Sequence, residues 1–377
     1  MNFRRISLLL LVVFALVAAV GGIALAQVYD PATGTYTYPN SGGGGGGTVA
    51  PAPTPVETVV SETVNTAADT EANNSIENNQ ATVVVETPTL FRTFSLEFMN
   101  NVNTTLESMT LGNQTAQITL PKGALNNTPA AKENIAANEN LTVEVTTVPV
   151  AQAQQNAGQG VTVISAIQVN LNVVNTDGTS TRISELGAPV SLELNVGDFF
   201  QNLGLTTEAQ RQEYIRDNNV MVAFITPSGA QNYYPVTYSN GVVTANGITH
   251  FSTYAVVEAK NVRVVRMTID KLNTNINNDT RLVDVPPMII ENRTMVPLRF
   301  IGEAIGGTVQ WVEATRTVKV TTGDKTVSLV IGQTGPGLDV PAQIVDSRTL
   351  VPVRYISEQL GAKVNWTELT RTVEIIK

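Results

Sequence analysis

Arginine and tryptophan recur at matched positions near the C-terminal end of the chain. The spacing from Arg299 to Trp311 is repeated between Arg354 and Trp366. An arginine guanidinium donates paired hydrogen bonds to anionic groups, and a tryptophan ring offers a large apolar face with one polar N–H. These four residues are therefore candidate ligand-binding residues, the arginines for an anionic glycan or a carboxylate and the tryptophans for a sugar ring.

A structural role explains the same residues. Glu303 follows Arg299, and Glu358 follows Arg354, at the i,i+4 spacing that allows an ion pair on a helix. We expect these two pairs to serve folding, because both repeats contain them. A tryptophan at the end of a hairpin strand is more often part of a core than of a binding surface. Both interpretations remain open from the sequence.

No set of residues indicates catalysis. His250 is the one histidine, it lies among alternating strand residues, and neither a serine-centred elbow nor a cysteine nucleophile accompanies it. Asn277–Asp279 offers oxygen ligands, but the calcium-loop pattern is missing. Pairs of carboxylates for glycoside hydrolysis cannot be identified from spacing alone. We expect a non-enzymatic protein with no catalytic residues, no metal site and no cofactor.

Charge and composition narrow the class of partner. The formal net charge is -9 and the sequence pI is about 4.8. Such a chain lacks the basic surface that neutralises phosphates, so we expect no nucleic-acid partner. The hydrophobic content of 42% is sufficient for two or three folded units.

The first residues predict export. Arg4 and Arg5 precede an apolar run that ends in Ala24–Leu25–Ala26, the pattern of a secretory signal peptide over residues 1–26. We expect an exported protein, extracellular or associated with the cell wall. The run is about long enough to span a bilayer, so an uncleaved anchor is the alternative and the only predicted contact with a membrane. The chain has no cysteine, so no disulfide braces it.

The next segment, residues 27–89, is predicted to be a disordered linker. Gly42–Gly47 is an unbroken glycine run, and proline, threonine and asparagine dominate the rest. Such a composition buries too little apolar surface to offset its ordering entropy. The β-prone run Ala81–Glu86 is the exception, and we interpret it as the first strand of the following domain. The alternative is a strand added to another sheet edge.

Residues 90–259 predict a β-sandwich. Short runs such as Leu141–Val145 alternate apolar and polar residues, and turn signals such as Ser239–Asn240–Gly241 separate them. One helix is expected over residues 207–217, because Thr207 and Gln210 have the spacing of a capping box. The run Gly247–Val257 resembles the closing strand of β-domains in bacterial surface proteins.

The C-terminal region contains an internal repeat. Residues 284–322 align with residues 339–377 without a gap, and about half of the aligned positions are identical. Each copy predicts a strand, a polar turn, a short helix introduced by a Val–Pro pair, and a hairpin. Gly306 and Gly361 are expected to end the helices, because glycine readily adopts positive φ.

The segments VPLRFIGEAIGGTVQW and VPVRYISEQLGAKVNW, each followed by TRTV, resemble the copper amine oxidase N-terminal domain-like family. The resemblance covers about residues 262–377, with repeats at about 283–322 and 338–377. It implies an α+β stalk module appended to other extracellular domains. Oxidase chemistry is not implied, because copper is held by several imidazoles and this chain has one histidine. The tyrosine from which such oxidases make a quinone has no match closer than Asn232–Tyr233–Tyr234.

The predicted fold is multidomain: a disordered linker, an all-β sandwich and a duplicated α+β module. The predicted function is a binding or scaffolding role in the cell envelope, with a cell-wall component or another envelope protein as partner. A self-assembling surface-layer or filament subunit is the first alternative, with self-association through sheet edges. A hydrolase acting on wall polymers is the second.

Overall fold

The computed structural model describes residues 28–30, 35–37, 62–126, 128, 130–131 and 139–377. The predicted signal peptide and the glycine run lie outside these residues. The chain divides into two compact units, Met1–Val59 and Val60–Lys377. In the first unit, strands β1 (Val28–Asp30) and β2 (Thr35–Thr37) pair antiparallel.

The helices of the second unit are short and follow one another between strands. Their bounds are α1 Glu62–Asn74, α2 Leu96–Thr105, α3 Val150–Ala157, α4 Gly197–Asn202, α5 Glu208–Asp217, α6 Leu298–Ala304 and α7 Val353–Gln359. In the part of the chain that the structure describes, no helix combines the length and apolar character needed to cross a membrane.

Strands are the main regular structure of the second unit. Those up to residue 258 are β3 Gln80–Val85, β4 Thr89–Ser95, β5 Ser108–Asn113, β6 Ala116–Pro121, β7 Asn140–Thr147, β8 Thr162–Val174, β9 Ser180–Arg182, β10 Glu185–Asn195, β11 Val220–Thr226, β12 Gly229–Tyr234, β13 Val236–Ser239, β14 Val242–His250 and β15 Thr253–Glu258. Those that follow are β16 Val264–Thr268, β17 Asn273–Ile276, β18 Asp279–Leu282, β19 Met288–Ile290, β20 Arg293–Pro297, β21 Thr308–Val312, β22 Thr317–Thr322, β23 Lys325–Val330, β24 Gln343–Val345, β25 Arg348–Pro352, β26 Lys363–Thr367 and β27 Thr372–Ile376.

The predicted β-sandwich is present. Its six-stranded sheet has the order β13-β14-β10-β6-β5-β3, and its seven-stranded sheet has the order β12-β11-β15-β8-β7-β4. Alternate residues of both sheets, such as Leu192 and Val143, lie in one apolar core between them. Strands with an alternating sequence, such as β6, bury one face. Strands β11 and β15 are buried on both faces, because a second apolar cluster that includes α3 covers their other face. The hairpin turn between β13 and β14 has positive φ at Asn240 and Gly241, as its sequence predicts.

The helices of the sandwich are more numerous than predicted. The expected helix is α5, and Thr207 and Gln210 form the capping box. The prediction of one helix was nevertheless wrong, because α2, α3 and α4 lie in the same region. Helix α2 is rich in asparagine and threonine, which are weak helix formers. It forms because the Ser95 hydroxyl caps it and because Leu96 and Met99 are buried in the core.

The predicted linker, residues 27–89, contains regular structure, including helix α1 and strand β3. Helix α1 packs against β3 and β4, and its Ala68 and Ala72 are buried. Two small side chains are enough here because they allow the helix to approach the sheet closely. Strand β3 pairs parallel to β5 and buries Val83. The run Ala81–Glu86 is therefore the first strand of the sandwich, as we interpreted it.

The repeat module contains three small sheets around a main apolar core, and a smaller apolar cluster contains Met295 and Leu350. Their orders are β18-β17-β16-β27-β26, β19-β20-β25-β24 and β21-β22-β23. Helices α6 and α7 contribute Ile301 and Ile356 to the core, and both residues are fully buried. The unit of strand, helix and hairpin appears in both copies, as predicted.

The two copies meet through their central strands. Strands β20 and β25 pair antiparallel, joining Met295 to Pro352, Val296 to Val351 and Pro297 to Leu350. Val296 and Val351 occupy equivalent positions in the two copies. An antiparallel pair centred on equivalent residues has a local two-fold axis. The repeat module is therefore pseudo-symmetric, with its axis between these two valines.

A buried carboxylate joins the module to the sandwich. Glu374 of β27 is 2% exposed. One of its oxygens accepts from the Tyr233 backbone N–H at 2.8 Å and from Arg266 at 3.2 Å. The other accepts from the side-chain amides of Asn232 and Asn365, each at 2.9 Å. Four donors from both domains thus converge on one side chain, which fixes the sandwich against the second repeat copy.

Candidate ligand-binding clefts

Each repeat places an arginine at the beginning of a helix. Strand β20 ends at Pro297, and α6 begins at the next residue. Proline lacks an N–H and disfavours a helical residue before it, so it marks the change from strand to helix. Pro352 does the same before α7. Arg299 and Arg354 therefore occupy the same exposed site on the first turn of each helix.

Glycine ends each helix and directs the chain towards the tryptophan strand. Gly306 has φ 83° and Gly361 has φ 80°. The Gly306 N–H donates to the Glu303 carbonyl at 3.0 Å, and the Gly307 N–H donates to the Gly302 carbonyl at 2.7 Å. This is the Schellman arrangement. It turns the chain sharply, so β21 and β26 run back along their helices.

Two clefts flank the module, and each contains one predicted Arg–Trp pair. The first is lined by Arg299, Phe300 and Trp311 and has a volume of about 450 Å³. The second is lined by Arg354, Tyr355 and Trp366 and has a volume of about 1060 Å³. The structure thus brings together residues that the sequence only showed to be repeated.

The clefts are pseudo-symmetric copies of each other. Each takes most of its lining from one repeat and one wall from the other repeat. Equivalent lining residues, first cleft then second, include Pro297 and Pro352, Arg299 and Arg354, Phe300 and Tyr355, Glu303 and Glu358, Trp311 and Trp366, Ile344 and Ile289, Ser347 and Asn292, and Arg348 and Arg293. Neither repeat alone would form a complete cleft.

The tryptophans are held on the cleft walls in the same way. Both are half-buried and pack against the module core, so they are neither free surface side chains nor wholly core. The Trp311 indole N–H donates to Glu313 at 2.5 Å, and the Trp366 indole N–H donates to Glu368 at 2.6 Å. These charge-assisted bonds fix the ring orientation. Each cleft therefore presents a pre-positioned aromatic surface.

The predicted i,i+4 pairs differ between the copies. Arg354 donates to Glu358 at 3.2 Å and to the Val364 carbonyl at 3.3 Å. Arg299 and Glu303 make no ion pair, and Arg299 has no hydrogen-bond partner in the part of the chain that the structure describes. An exposed pair of this kind contributes only tenths of a kcal/mol, so it does not fix the side chains. The guanidinium of the first cleft is free to bind a ligand.

A second pair of arginines crosses between the copies. Arg348 of the second copy donates to Asp284 of the first at 2.7 Å, and Arg293 of the first copy pairs with Asp339 of the second. The hydrogen bond from Arg293 lowers the pKa of the Asp339 carboxyl. All four side chains are exposed. The crossed pairs lie at the clefts and place planar hydrogen-bonding groups on their rims.

The charges of each cleft are balanced. The first contains Arg299 and Arg348 with Asp284 and Glu303. The second contains three arginines and three carboxylates: Arg293, Arg354, Arg371, Asp339, Glu358 and Glu368. Hydrogen-bond donors and acceptors therefore alternate beside an aromatic wall. Such a lining suits a ligand with many hydroxyl or amide groups better than a polyanion.

The other candidates from the sequence have structural contacts. His250 is largely buried, its Nδ1 lies 2.8 Å from the Tyr254 hydroxyl, and burial lowers its pKa. The side-chain amide of Asn278, in the turn between β17 and β18, accepts from the Val236 N–H and donates to the Val220 carbonyl, so it links the module to the sandwich. Among the described residues, no group of three or more His, Cys, Asp or Glu side chains is arranged to hold a metal ion.

The sequence did not identify the second aromatic residue of each cleft or the arginine–aspartate pairs that connect the two copies. Phe300 and Tyr355 follow the candidate arginines directly, but their pattern is also that of a helix core. Asp284 and Arg348 match identical residues of the other copy. That identity was the available signal. It could not reveal that the partners are exchanged, because only the folded pseudo-two-fold axis brings them together.

Comparison with known families supports the repeat assignment. Residues 204–320 and 275–375 each match the family described as the copper amine oxidase N-terminal domain. The two segments overlap and together extend from residue 204 to residue 375, so the match begins before the region that the sequence resemblance covered. The resemblance is confirmed for the repeats. No curated protein matches the chain.

Proposed function

We propose, from the match of residues 204–375 to the copper amine oxidase N-terminal domain family, that this chain is a non-enzymatic protein of the cell envelope. Its repeat module binds a polysaccharide of the cell wall through the two clefts. The sandwich and the N-terminal segment hold the module at the wall. Export is part of the proposal and depends on the signal-like residues 1–26.

The single observation that carries the proposal is the composition of the clefts. Each combines a fixed tryptophan, a second aromatic ring, and arginines beside carboxylates. Sugar rings present an apolar face and a hydroxyl edge, which match an aromatic surface and a polar rim respectively. Balanced charge, together with the net charge of -9, disfavours a polyanionic ligand. A neutral wall polysaccharide therefore fits better than a phosphate polymer.

The non-enzymatic part of the proposal rests on the state of the acidic residues. A glycosidase of the usual kind needs one carboxyl with a raised pKa to act as an acid. Among the carboxyl groups that line the clefts, Asp339 has a lowered pKa because Arg293 donates a hydrogen bond to it, and Asp284, Glu358 and Glu368 accept hydrogen bonds from arginine or tryptophan. A lowered pKa favours the ionised form of Asp339, which is the opposite of what an acid catalyst needs. A binding role is consistent with such groups.

The test is a sedimentation assay with purified cell walls. The full-length protein is expected to pellet with the walls, and a double variant, Trp311→Ala with Trp366→Ala, is expected to lose at least tenfold in affinity. Leu203→Ala is the control, because Leu203 is a large apolar residue of the sandwich that is 47% exposed and lies outside both clefts. Circular dichroism verifies folding. Equal wall binding by the double variant and the wild type would overturn the proposal.

Self-assembly is a second candidate, supported by a different observation. Strand β3 is an edge strand of the six-stranded sheet, and β4 is an edge strand of the seven-stranded sheet. They expose Val84 and Phe91. Exposed apolar residues on an edge favour pairing with another chain. Ordered particles that grow in light scattering without added wall, and that disappear in Phe91→Lys, would favour this role.

A further inference from the structure

We infer that the two clefts act as a pair, so that one molecule holds two separate polysaccharide segments and crosslinks them. This inference rests on the proposed function. It goes beyond simple binding because it assigns the repeat its purpose: duplication provides two sites of opposite orientation in one rigid body. The ligand class is a neutral, directional polysaccharide of the wall, such as a β-linked polymer of N-acetylated hexosamine.

The pseudo-two-fold axis determines how ligands can run through the clefts. The axis lies between Val296 and Val351, and rotation about it exchanges the two sets of lining residues. A straight line that joins equivalent points of the two clefts is perpendicular to the axis. Rotation by half a turn reverses every direction perpendicular to the axis. A stiff, directional polymer laid through both clefts would therefore meet one of them in the wrong direction.

The relative position of the clefts is fixed. Val296 and Val351 are fully buried, and both helices and both central strands share one core. The crossed pairs Arg293–Asp339 and Arg348–Asp284 add contacts on both sides of the axis. One segment cannot satisfy two rigid sites of opposite direction, so each cleft must take its own segment. Two segments held by one molecule form a crosslink.

The clefts are equivalent in design but not in size. Leu282 lines the first cleft and is 72% exposed, whereas Gly337 lines the second. A Cβ atom at Gly337 would lie 3.6 Å from the Tyr355 ring. The absence of a side chain leaves that aromatic face open, which agrees with the larger volume of the second cleft. We therefore expect the second cleft to bind the longer segment and to bind it more tightly.

The experiment compares binding with crosslinking in the full-length protein. The ligand is glycol chitin, a soluble neutral polymer of β-linked N-acetylglucosamine units, and its short oligosaccharides serve for stoichiometry. The wild type is expected to cause turbidity with the polymer, with a maximum at intermediate protein concentration. By calorimetry, two short oligosaccharides are expected to bind per chain.

Single variants separate the inference from the proposed function. Trp311→Ala and Trp366→Ala are each expected to bind one oligosaccharide per chain and to cause no turbidity, although each still binds the polymer. Trp311→Phe and Trp366→Phe keep an aromatic face and serve as conservative controls that recover crosslinking. Leu282→Gly enlarges the first cleft and is expected to raise its affinity towards that of the second, at least threefold.

The outcomes are distinct. A wild type that binds glycol chitin with one site per chain and without turbidity would overturn the inference and leave the proposed function standing. Turbidity that persists undiminished in both alanine variants would also overturn it. A wild type that binds neither walls nor the polymer would end the proposed function itself. A wild type that binds only an anionic phosphodiester wall polymer would retain wall binding but overturn the assigned ligand class.

Discussion

The two repeat copies have the same local structure, but equivalent positions serve different purposes. Lys319 of β22 and Glu374 of β27 align in the repeat. Lys319 is exposed, whereas Glu374 is buried and accepts four hydrogen bonds at the sandwich. Strand β22 of the first copy corresponds to β27 of the second, but the two strands have different neighbours on one side. Strand β22 pairs with β23, whereas β27 pairs with β16.

This difference separates the residues that each copy needs to fold from those that hold the repeat module against the sandwich. Pro297 and Gly306 have identical counterparts, because each copy needs the same strand-to-helix change and the same helix end. Lys319 and Glu374 differ, because only the second copy faces the sandwich. Duplication thus provided a symmetric body with two clefts. Glu374 of the second copy is among the residues that attach that body to the sandwich.

The largest expected effect on stability is at the contact between the repeat module and the sandwich. Glu374→Ala leaves Arg266 without its carboxylate in a buried setting, since its side chain is 12% exposed. We expect a loss of about 3 to 5 kcal/mol in the free energy of unfolding. Lys319→Ala is the matched control in the first copy and is expected to change stability by less than about 0.5 kcal/mol. Urea denaturation measures both, and equal effects would refute the difference between the copies.

Alkaline pH is expected to weaken the same contact between the repeat module and the sandwich. Burial raises the pKa of Tyr234 to about 12, and the Arg266 guanidinium lies 4.7 Å from its ring centroid. Because the pKa in the folded state exceeds the ordinary value of 10.0, the stabilising contribution is complete below pH 10 and is lost as pH rises to 12. This amounts to about 2 to 3 kcal/mol at the upper limit.

Denaturation at pH 8, 10, 11 and 12 tests this linkage. Tyr234→Phe keeps the ring under Arg266 but removes the ionisable hydroxyl, so its loss of stability above pH 10 should be smaller than that of the wild type. Burial raises the pKa of Tyr254 as well, so some dependence on pH is expected to remain. An identical pH profile for the variant would contradict the assignment to Tyr234.

A smaller effect distinguishes the helices of the two copies. Gly302 of α6 aligns with Ser357 of α7. A Cβ atom at Gly302 would lie 2.8 Å from a Val309 methyl group. Gly302→Ala is expected to cost about 1 to 3 kcal/mol through overpacking, offset in part by about 1 kcal/mol of helix propensity.

Ser357→Ala is expected to have the opposite sign. The Ser357 hydroxyl is buried and has no hydrogen-bond partner among the described residues. Its removal should leave stability unchanged or raise it by about 1 kcal/mol, because an unsatisfied buried group is eliminated. Thermal unfolding of both alanine variants measures the contrast. Destabilisation by Ser357→Ala equal to that by Gly302→Ala would show that the two helices pack alike.

Local features of the fold could be predicted from the sequence, whereas pairing between distant segments could not. Strand β19, the following turn and helix α6 were recognisable, because Val–Pro pairs, turn residues and glycine act on their immediate neighbours. The parallel pairing of β3 with β5 and the burial of Glu374 depend on residues far away in the chain. Nothing near Glu374 in the sequence distinguishes it from an ordinary exposed residue of an alternating strand.

The candidate site was predictable in its residues and not in its geometry. Arg299, Trp311, Arg354 and Trp366 were identified because they recur, and the structure places each Arg–Trp pair in one cleft. Their recurrence could not show that each cleft takes a wall from the other copy. That knowledge requires the antiparallel register of β20 and β25, which no local pattern encodes.

Tryptophan fluorescence gives the most direct test of the paired clefts. The chain has two tryptophans, Trp311 and Trp366, one in each cleft. In Trp311→Phe and in Trp366→Phe, the remaining tryptophan reports on one cleft alone. Titration with a neutral β-linked hexosamine oligosaccharide is expected to shift the emission of both variants. The shift of Trp366, observed in Trp311→Phe, is expected to saturate at the lower oligosaccharide concentration. Unchanged emission in both variants at saturating oligosaccharide would contradict the account.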